Sequence, residues 1–185
     1  WLKNHPDKTE EIIPEMEADL QRLEQIGRRF SKMGSKSDFE ELDLSERVEK
    51  IVNYLTKRLP SLGKKVKLVN DIEPGIFIRA NGSLLAWSIE NIIRNGIDAI
   101  EREDGMISIS LKKDVDGIKI RIEDNGKGIP KKDWKNIFRP GFSTKQTGWG
   151  LGLSLSSRIV EEIHGGSLKV ISSSIDTGTI IEISL

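Results

Sequence analysis

Three groups of residues in this sequence combine types and spacings that suit phosphate chemistry. In SIENIIRNGIDAIE, residues 88–101, Asn91 and Asn95 stand four apart with Asp98 three further on, so at the helical period they fall on one face. Asparagine is a modest helix former because its side chain competes for backbone hydrogen bonds, and a pair one turn apart asks for an explanation beyond folding. Its oxygen can hold a hard cation, so this face reads either as a Mg²⁺ and phosphate site or as a solvated polar stripe. In DNGKGIP, residues 124–130, the acceptor-only carboxylate of Asp124 precedes Gly126 and Gly128, which let the backbone turn sharply and approach a flat ligand. That acceptor suits the amino group of adenine and repels the carbonyl guanine carries there, although the same residues also make an ordinary turn. In GWGLGL, residues 148–153, Gly148, Gly150 and Gly152 alternate where a helix opens, exposing N–H groups at the positive end of its dipole. The spacing is neither the dinucleotide fingerprint nor a P-loop. The preceding RPGFSTK supplies Arg139, Ser143, Thr144 and Lys145, donors able to reach phosphates if this stretch closes as a lid. A solubilising surface role is the alternative for Lys145.

These groups need elements to position them. The asparagine face belongs to a helix capped by Asn81, with an apolar stripe of Leu85, Ile89, Ile92 or Ile93, Gly96 or Ile97, and Ile100. Upstream, Asp43 and Glu46 form a capping-box pattern that opens a helix with Val48, Ile51, Val52, Leu55 and Leu59 on one face, closed by Pro60. KVKLVN and GIFIRA read as strands separated by DIEPG, and residues 106–112 and 117–123 as two more around the turn at 114–116. Residues 124–152 are glycine-rich and aperiodic, as a functional loop or lid would be, with one short helix expected at 131–138. LSLSSRIVEEIHGG makes a helix with Leu153, Leu155 or Ser156, Ile159, Val160 and Ile163 inward, stopped by Gly165 and Gly166. Strands at 167–173 and 179–185 complete the set. The sum is an α/β two-layer sandwich, a mixed sheet of about five strands covered on one side by three helices.

Residues 13–34 differ in character. Ile13, Met16, Leu20, Leu23 and Phe30, with Gly27 in the missing slot, alternate spacings of three and four, a heptad seam with Pro14 in the first turn and Gly34 at the end. Such a helix must pack on a partner, in this chain or in another copy, or lie back on its own domain. Residues 35–41 read as a linker. We therefore expect two units, 1–36 and 37–185.

At 185 residues, 36% hydrophobic and 31% charged, the chain is long enough for one ordinary domain plus an extra element, and no apolar run approaches membrane-spanning length. With 29 basic and 29 acidic residues, bulk charge argues for neither nucleic acid nor an anionic membrane surface. The absence of cysteine excludes disulfides and thiolate zinc sites and fits a reducing cytoplasm. A start at Trp1, without methionine or signal peptide, suggests a piece of something longer.

Taken in order, NIIRN, DNGKG, IFRPGFSTK, GWGLG and the late Gly178–Thr179 pair resemble the N, G1, F, G2 and G3 boxes of the ATP-binding domain of bacterial sensor histidine kinases. The superfamily of that domain includes type II topoisomerases, MutL and the heat-shock ATPase chaperones, and its fold is the Bergerat type. The resemblance covers about residues 42–185. It implies Mg²⁺ coordination by Asn95, support of the metal and phosphates by Asn91, adenine recognition by Asp124, a pocket wall shaped by Gly126 and Gly128, and help near the base from Thr179. A lid from about Phe138 to Gly150 would turn Gly148, Gly150, Leu151 and Gly152 toward the phosphates, with Lys145 as a catalytic cation. Asparagine at position 91, where the topoisomerase and MutL branch typically has a water-activating glutamate, implies transfer to a protein rather than hydrolysis. The heptad helix resembles the second helix of the dimerisation and phosphotransfer hairpin. The resemblance thus implies ATP and Mg²⁺ as cofactors, a homodimer through the N-terminal helix, a response regulator as partner, no nucleic-acid or membrane contact in this chain, and a cytoplasmic domain whose full protein is anchored, if at all, by upstream segments.

Four positions depart from the family pattern. His5 and His164 lack the acceptor motif, so the phosphoacceptor is expected upstream and both histidines read as structural or solvated. Ala99 stands where many kinases place an aromatic near adenine, and Trp149 occupies a lid position usually held by a small residue, where we expect a lid-anchoring role. A serine kinase of the anti-sigma type, an ATPase, and a non-enzymatic nucleotide-binding dimerisation module are the alternatives.

Overall fold

The structure, a computed structural model, describes Ile13 and residues 39–60, 65–145 and 149–185. The chain divides into two compact units, Trp1–Ser37 and Asp38–Leu185, and all elements below belong to the second. The heptad seam beyond Ile13, His5 and Gly148 lie outside the described residues.

Asp43 accepts a hydrogen bond from the Glu46 backbone N–H at 3.0 Å, satisfying one of the free donors at the start of helix α1, Leu44–Arg58. The stripe Val48, Ile51, Val52 and Leu55 is buried as its spacing requires. Just before α1, strand β1 (Glu40–Asp43) pairs antiparallel with β3 (Phe77–Ala80) as a separate two-stranded sheet. Residues 40–41 are therefore strand rather than linker, and GIFIRA does not join the main sheet. The cause is a tie at the turn: Ser45 Oγ donates to Glu73 O at 2.7 Å and accepts from Ile76 N at 3.0 Å, folding DIEPG back over the first turn of α1.

The main sheet has five strands in the order β2 (Val66–Ile72), β4 (Gly105–Asp114), β5 (Gly117–Asp124), β7 (Gly178–Ser184) and β6 (Ser167–Ser174). β2 and β4 are parallel and the remaining pairs antiparallel, so the sheet is mixed as expected. Alternation sends Ile107, Ile109, Leu111, Ile118, Ile120, Ile122, Ile181 and Ile183 to one face, where they are buried under α1, helix α2 (Gly82–Ala99) and helix α3 (Gly152–Arg158). Each such side chain contributes about 2 kcal/mol on leaving water.

Two local expectations change. Residues 131–138 form two 3₁₀ turns, Lys131–Asp133 and Asn136–Phe138, rather than one short helix. Asn136 Nδ2 donates to Lys132 O at 3.3 Å, the carbonyl a regular helix would offer to the Asn136 backbone, while Trp134 Nε1 donates back to Ile129 O at 3.0 Å. α3 runs into a π turn at Ile159–Ile163, where His164 N donates to Ile159 O at 3.2 Å, before Gly165 stops it. The extra residue in that turn rotates Ile163 out of the stripe, leaving it half-buried.

Candidate functional site

α2 is fixed at its start. Asn81 Oδ1 caps it, accepting from Leu84 N at 3.1 Å and Ser83 Oγ at 2.9 Å. The Asn81 backbone N–H donates to His164 Nε2 at 3.1 Å while the His164 Nδ1–H donates to Ile159 O at 2.8 Å. His164 is thus a structural bridge between the end of the π turn and the start of α2. One face of the helix buries Leu85, Ile89, Ile92, Ile93 and Ile97, and another presents half-buried Asn91 and Asn95 and exposed Asp98.

Asn91 is held by α3. Its Nδ2 donates to the buried Ser156 Oγ at 3.0 Å, and its Oδ1 lies so close to Gly152 that a Cβ there would come within 2.6 Å. Only glycine admits this approach. Asn95 Oδ1 accepts from Lys145 Nζ at 3.1 Å, and the same ammonium is paired with Asp98 Oδ2 at 2.7 Å. A hard positive charge therefore already sits between the Asn95 oxygen and the Asp98 carboxylate, and that donor set fits a cation such as Mg²⁺. Among the described residues no group of three or more His, Cys, Asp or Glu is placed to hold a metal. An ion here would rest on amide oxygen, phosphate and water, as Mg²⁺ commonly does. Glu90 takes no part, being paired with Arg94 at 2.8 Å.

Asp124 lies at the end of β5, in phase with the inward Ile118, Ile120 and Ile122, and is buried with them. α2 crosses directly above, since a Cβ on Gly96 would stand 3.2 Å from Asp124 Cβ. Asp124 Oδ1 accepts from Gly126 N at 2.9 Å, and the Thr179 N–H also bonds the carboxylate. Burial outweighs these bonds and pushes the carboxyl up to about 6. The following loop is tied on three sides. Lys127 N donates to Ala99 O at 3.0 Å, Asn125 Oδ1 accepts from Met106 N at 2.8 Å, and Asp176 N donates to Lys127 O at 2.9 Å. Gly128 turns at φ +71 against the Ser174 carbonyl, where a side chain has no room. Buried Thr179 stands opposite Asp124 in the β5–β7 register.

In the lid, Gly141 N donates to Gly150 O at 3.1 Å, pinching the base of the loop that carries Lys145. Ser143 Oγ accepts from Lys145 N at 3.1 Å within that loop, and Arg139 is exposed. Leu151 is half-buried, and its carbonyl takes the first α3 bond from Leu155 N at 3.0 Å. Trp149 is 42% exposed, so it does not anchor the lid by burial. The structure therefore gathers Asn91, Asn95, Lys145 and Gly152 on one flank of α2, and places Asp124 beneath its last turn with Thr179 opposite and Gly126 and Gly128 in the loop that follows. Ser156, expected only as an alternative inward position, Ser173 and the close approach at Gly96 join the site through tertiary contacts, and Asp98, grouped with the asparagines but given no role, pairs with Lys145.

The family described as histidine kinase-, DNA gyrase B-, and HSP90-like ATPase matches residues 81–185, the span from the α2 cap through the lid to the last strand. The chain belongs to this family. Membership makes residues 81–185 an ATP-binding domain. Sporulation kinase B of Bacillus subtilis (strain 168) is 29% identical over 170 residues, 91% of this chain and 39% of that protein. Sensor histidine kinase ZraS of Klebsiella oxytoca is 32% identical over 132 residues, 70% of this chain and 28% of that protein. The chain thus spans well under half the length of these curated relatives. Among solved structures, the catalytic domain of histidine kinase ThkA superposes with a TM-score of 0.70 at 22% identity, covering 80% of this chain and 94% of that one. ThkA in complex with response regulator protein TrrA gives 0.73 at 21% identity, covering 97% and 52%. These likenesses establish the fold of the histidine kinase-like ATPase domain. No helix among the described residues is long and apolar enough to cross a membrane.

Proposed function

We propose that this domain positions Mg²⁺-ATP for transfer of the γ-phosphoryl group to a histidine of the longer protein, from which a response regulator is phosphorylated. Asp124 accepts the adenine amino group, with Gly126 and Gly128 shaping the wall and Thr179 beside it. Asn95 offers its oxygen to the metal and Asn91 supports it from one turn earlier. Gly148, Gly150, Leu151 and Gly152 bring the lid backbone to the phosphates, and Lys145, released from Asn95 and Asp98, supplies a cation there. When bound, Mg²⁺ would offset the charge of the phosphates. The chain's own residues orient the nucleotide and exclude water. Residues 1–36, as the second helix of a dimerisation hairpin, would join two copies.

The observation that favours transfer over hydrolysis is the state of residues 90 and 91. Asn91 is an amide tied to Ser156, and the adjacent carboxylate of Glu90 is occupied by Arg94, so neither is placed as a base for water. Two measurements test the reading. Asp124→Asn and Asn95→Ala should each weaken binding of a Mg²⁺-ATP analogue by about tenfold or more, and unchanged affinity in both would sink the site assignment. With γ-labelled ATP, the full-length protein should acquire a phosphate that acid removes and alkali spares. Phosphoserine, or free phosphate as the sole product, would overturn the histidine kinase reading.

A further inference from the structure

Ser173 is aimed into the base site by an irregularity in β6. Val170 stands opposite Ile181, but the register then shifts, so that Ser172 meets Ile180 and Ser173 meets Thr179. The extra residue, Ile171, is turned outward and 43% exposed. Without this bulge Ser172 would face Thr179; with it, every side chain beyond residue 171 changes face. Cross-strand partners in an antiparallel ladder point the same way, so Ser173, Thr179 and Asp124 form one row across β6, β7 and β5.

The hydrogen bonds in that row have only one consistent direction. Ser173 Oγ accepts from Ile129 N at 2.7 Å and lies 3.0 Å from Gly178 O and 2.9 Å from Thr179 Oγ1. A serine hydroxyl has a single proton, and a carbonyl can only accept. The Ser173 proton therefore goes to Gly178, and the Thr179 hydroxyl must donate to Ser173. Thr179 then has lone pairs and no proton left for a ligand, and the ionised Asp124 beside it is acceptor-only.

We propose that Ser173 is a specificity-determining residue of the base site: by taking the Thr179 proton it leaves a wall of acceptors, which a bound base must meet with donors, directly or through a water. A 6-amino purine brings its donor to that wall, whereas a 6-oxo purine brings a carbonyl that meets acceptors at both residues and keeps only N1–H as a donor. The proposal rests on the reading of Asp124 as the base contact. Removing the Ser173 oxygen frees the Thr179 proton to turn toward a 6-oxo group, which relaxes the selection without touching Asp124.

The experiment compares the affinities of ATP and inosine triphosphate at pH 7.5 for the unaltered chain, Ser173→Ala, Ser173→Cys, Thr179→Val and Ser173→Ala combined with Thr179→Val. The cysteine variant keeps the size of serine with a poor acceptor, so it serves if the alanine variant does not fold. Expected is a preference for ATP that Ser173→Ala or Ser173→Cys narrows by about 3- to 10-fold, with no further narrowing by Ser173→Ala once Thr179 is valine. An equal loss of affinity for both nucleotides, leaving the preference unchanged, would mean a structural role only and overturn the proposal. So would a narrowing that persists in the valine background. If the unaltered chain shows no preference, the Asp124 reading fails first and this inference with it.

Discussion

At residue 124 one carboxyl answers to two opposed demands. Its pKa of about 6 lies above the roughly 3.9 of an exposed aspartate, because burial under α2 penalises the charged form. The folded state therefore holds the proton more tightly than the unfolded chain. That stabilisation is fully present below about pH 4 and lost as pH rises through about 6. Base binding as proposed runs the other way, since the amino group would need the ionised acceptor. The advantage of ATP over purine riboside triphosphate, which titrates alike at the phosphates but lacks the amino group, should shrink as pH falls through about 6; a constant advantage from pH 5 to 8 would count against this role. Asp124→Asn removes the buried charge, so nucleotide-free protein should melt about 2–6 °C higher at pH 7.5, checked by calorimetry, even as ATP binding weakens. Asp124 and its two glycines, which alone would also make an ordinary turn, are legible through their order and spacing with NIIRN and GWGLG. Ser156 and Ser173 are not, since a serine on an amphipathic helix or strand acquires its role only from the Asn91 amide or the Thr179 hydroxyl that tertiary structure brings to it.

At the scale of elements, α2 and the lid meet through Lys145. Its ammonium lies between Asn95 and Asp98, so a metal ion bound as proposed would compete with this lysine for the Asn95 oxygen. The ion pair is about half exposed on both sides, and such pairs contribute at most about 1 kcal/mol. Asp98→Asn should therefore raise tryptic cleavage at Lys145 in nucleotide-free protein by no more than about fivefold. An unchanged cleavage rate would show that the pair does not hold the lid, and a change far above fivefold that more than the pair was lost. The three helices and the five main strands could be read in advance because periodicity and caps agree there, as at Asn81 and Asp43. The β1–β3 pair could not, because it depends on Ser45 reaching Glu73 and Ile76 across about thirty residues. The single helix expected at 131–138 failed for a related reason, as the Asn136 side chain competes for the Lys132 carbonyl and Trp134 is tied back to Ile129 O.

For the molecule as a whole, every buried apolar side chain of the ATP-binding unit comes from residues 42–183 among those described, and the row Ser173–Thr179–Asp124, the asparagine face of α2 and the lid lie in the same span. A unit that contains its own core and its whole site should fold and bind without residues 1–37. Residues 38–185 expressed alone should melt in one cooperative transition within about 2 °C of the 185-residue chain, a shift that corresponds to under about 1 kcal/mol. Mg²⁺-ATP at about 100 times its Kd should add about 2.7 kcal/mol to either chain, raising Tm by roughly 5–10 °C. If the heptad seam joins two copies, the longer chain alone should sediment as a dimer, with a Tm that depends on concentration. Loss of nucleotide-induced stabilisation on removing residues 1–37 would mean that the first unit completes the ATP site. Equal stabilisation with loss of the dimer would assign binding to the second unit and association to the first.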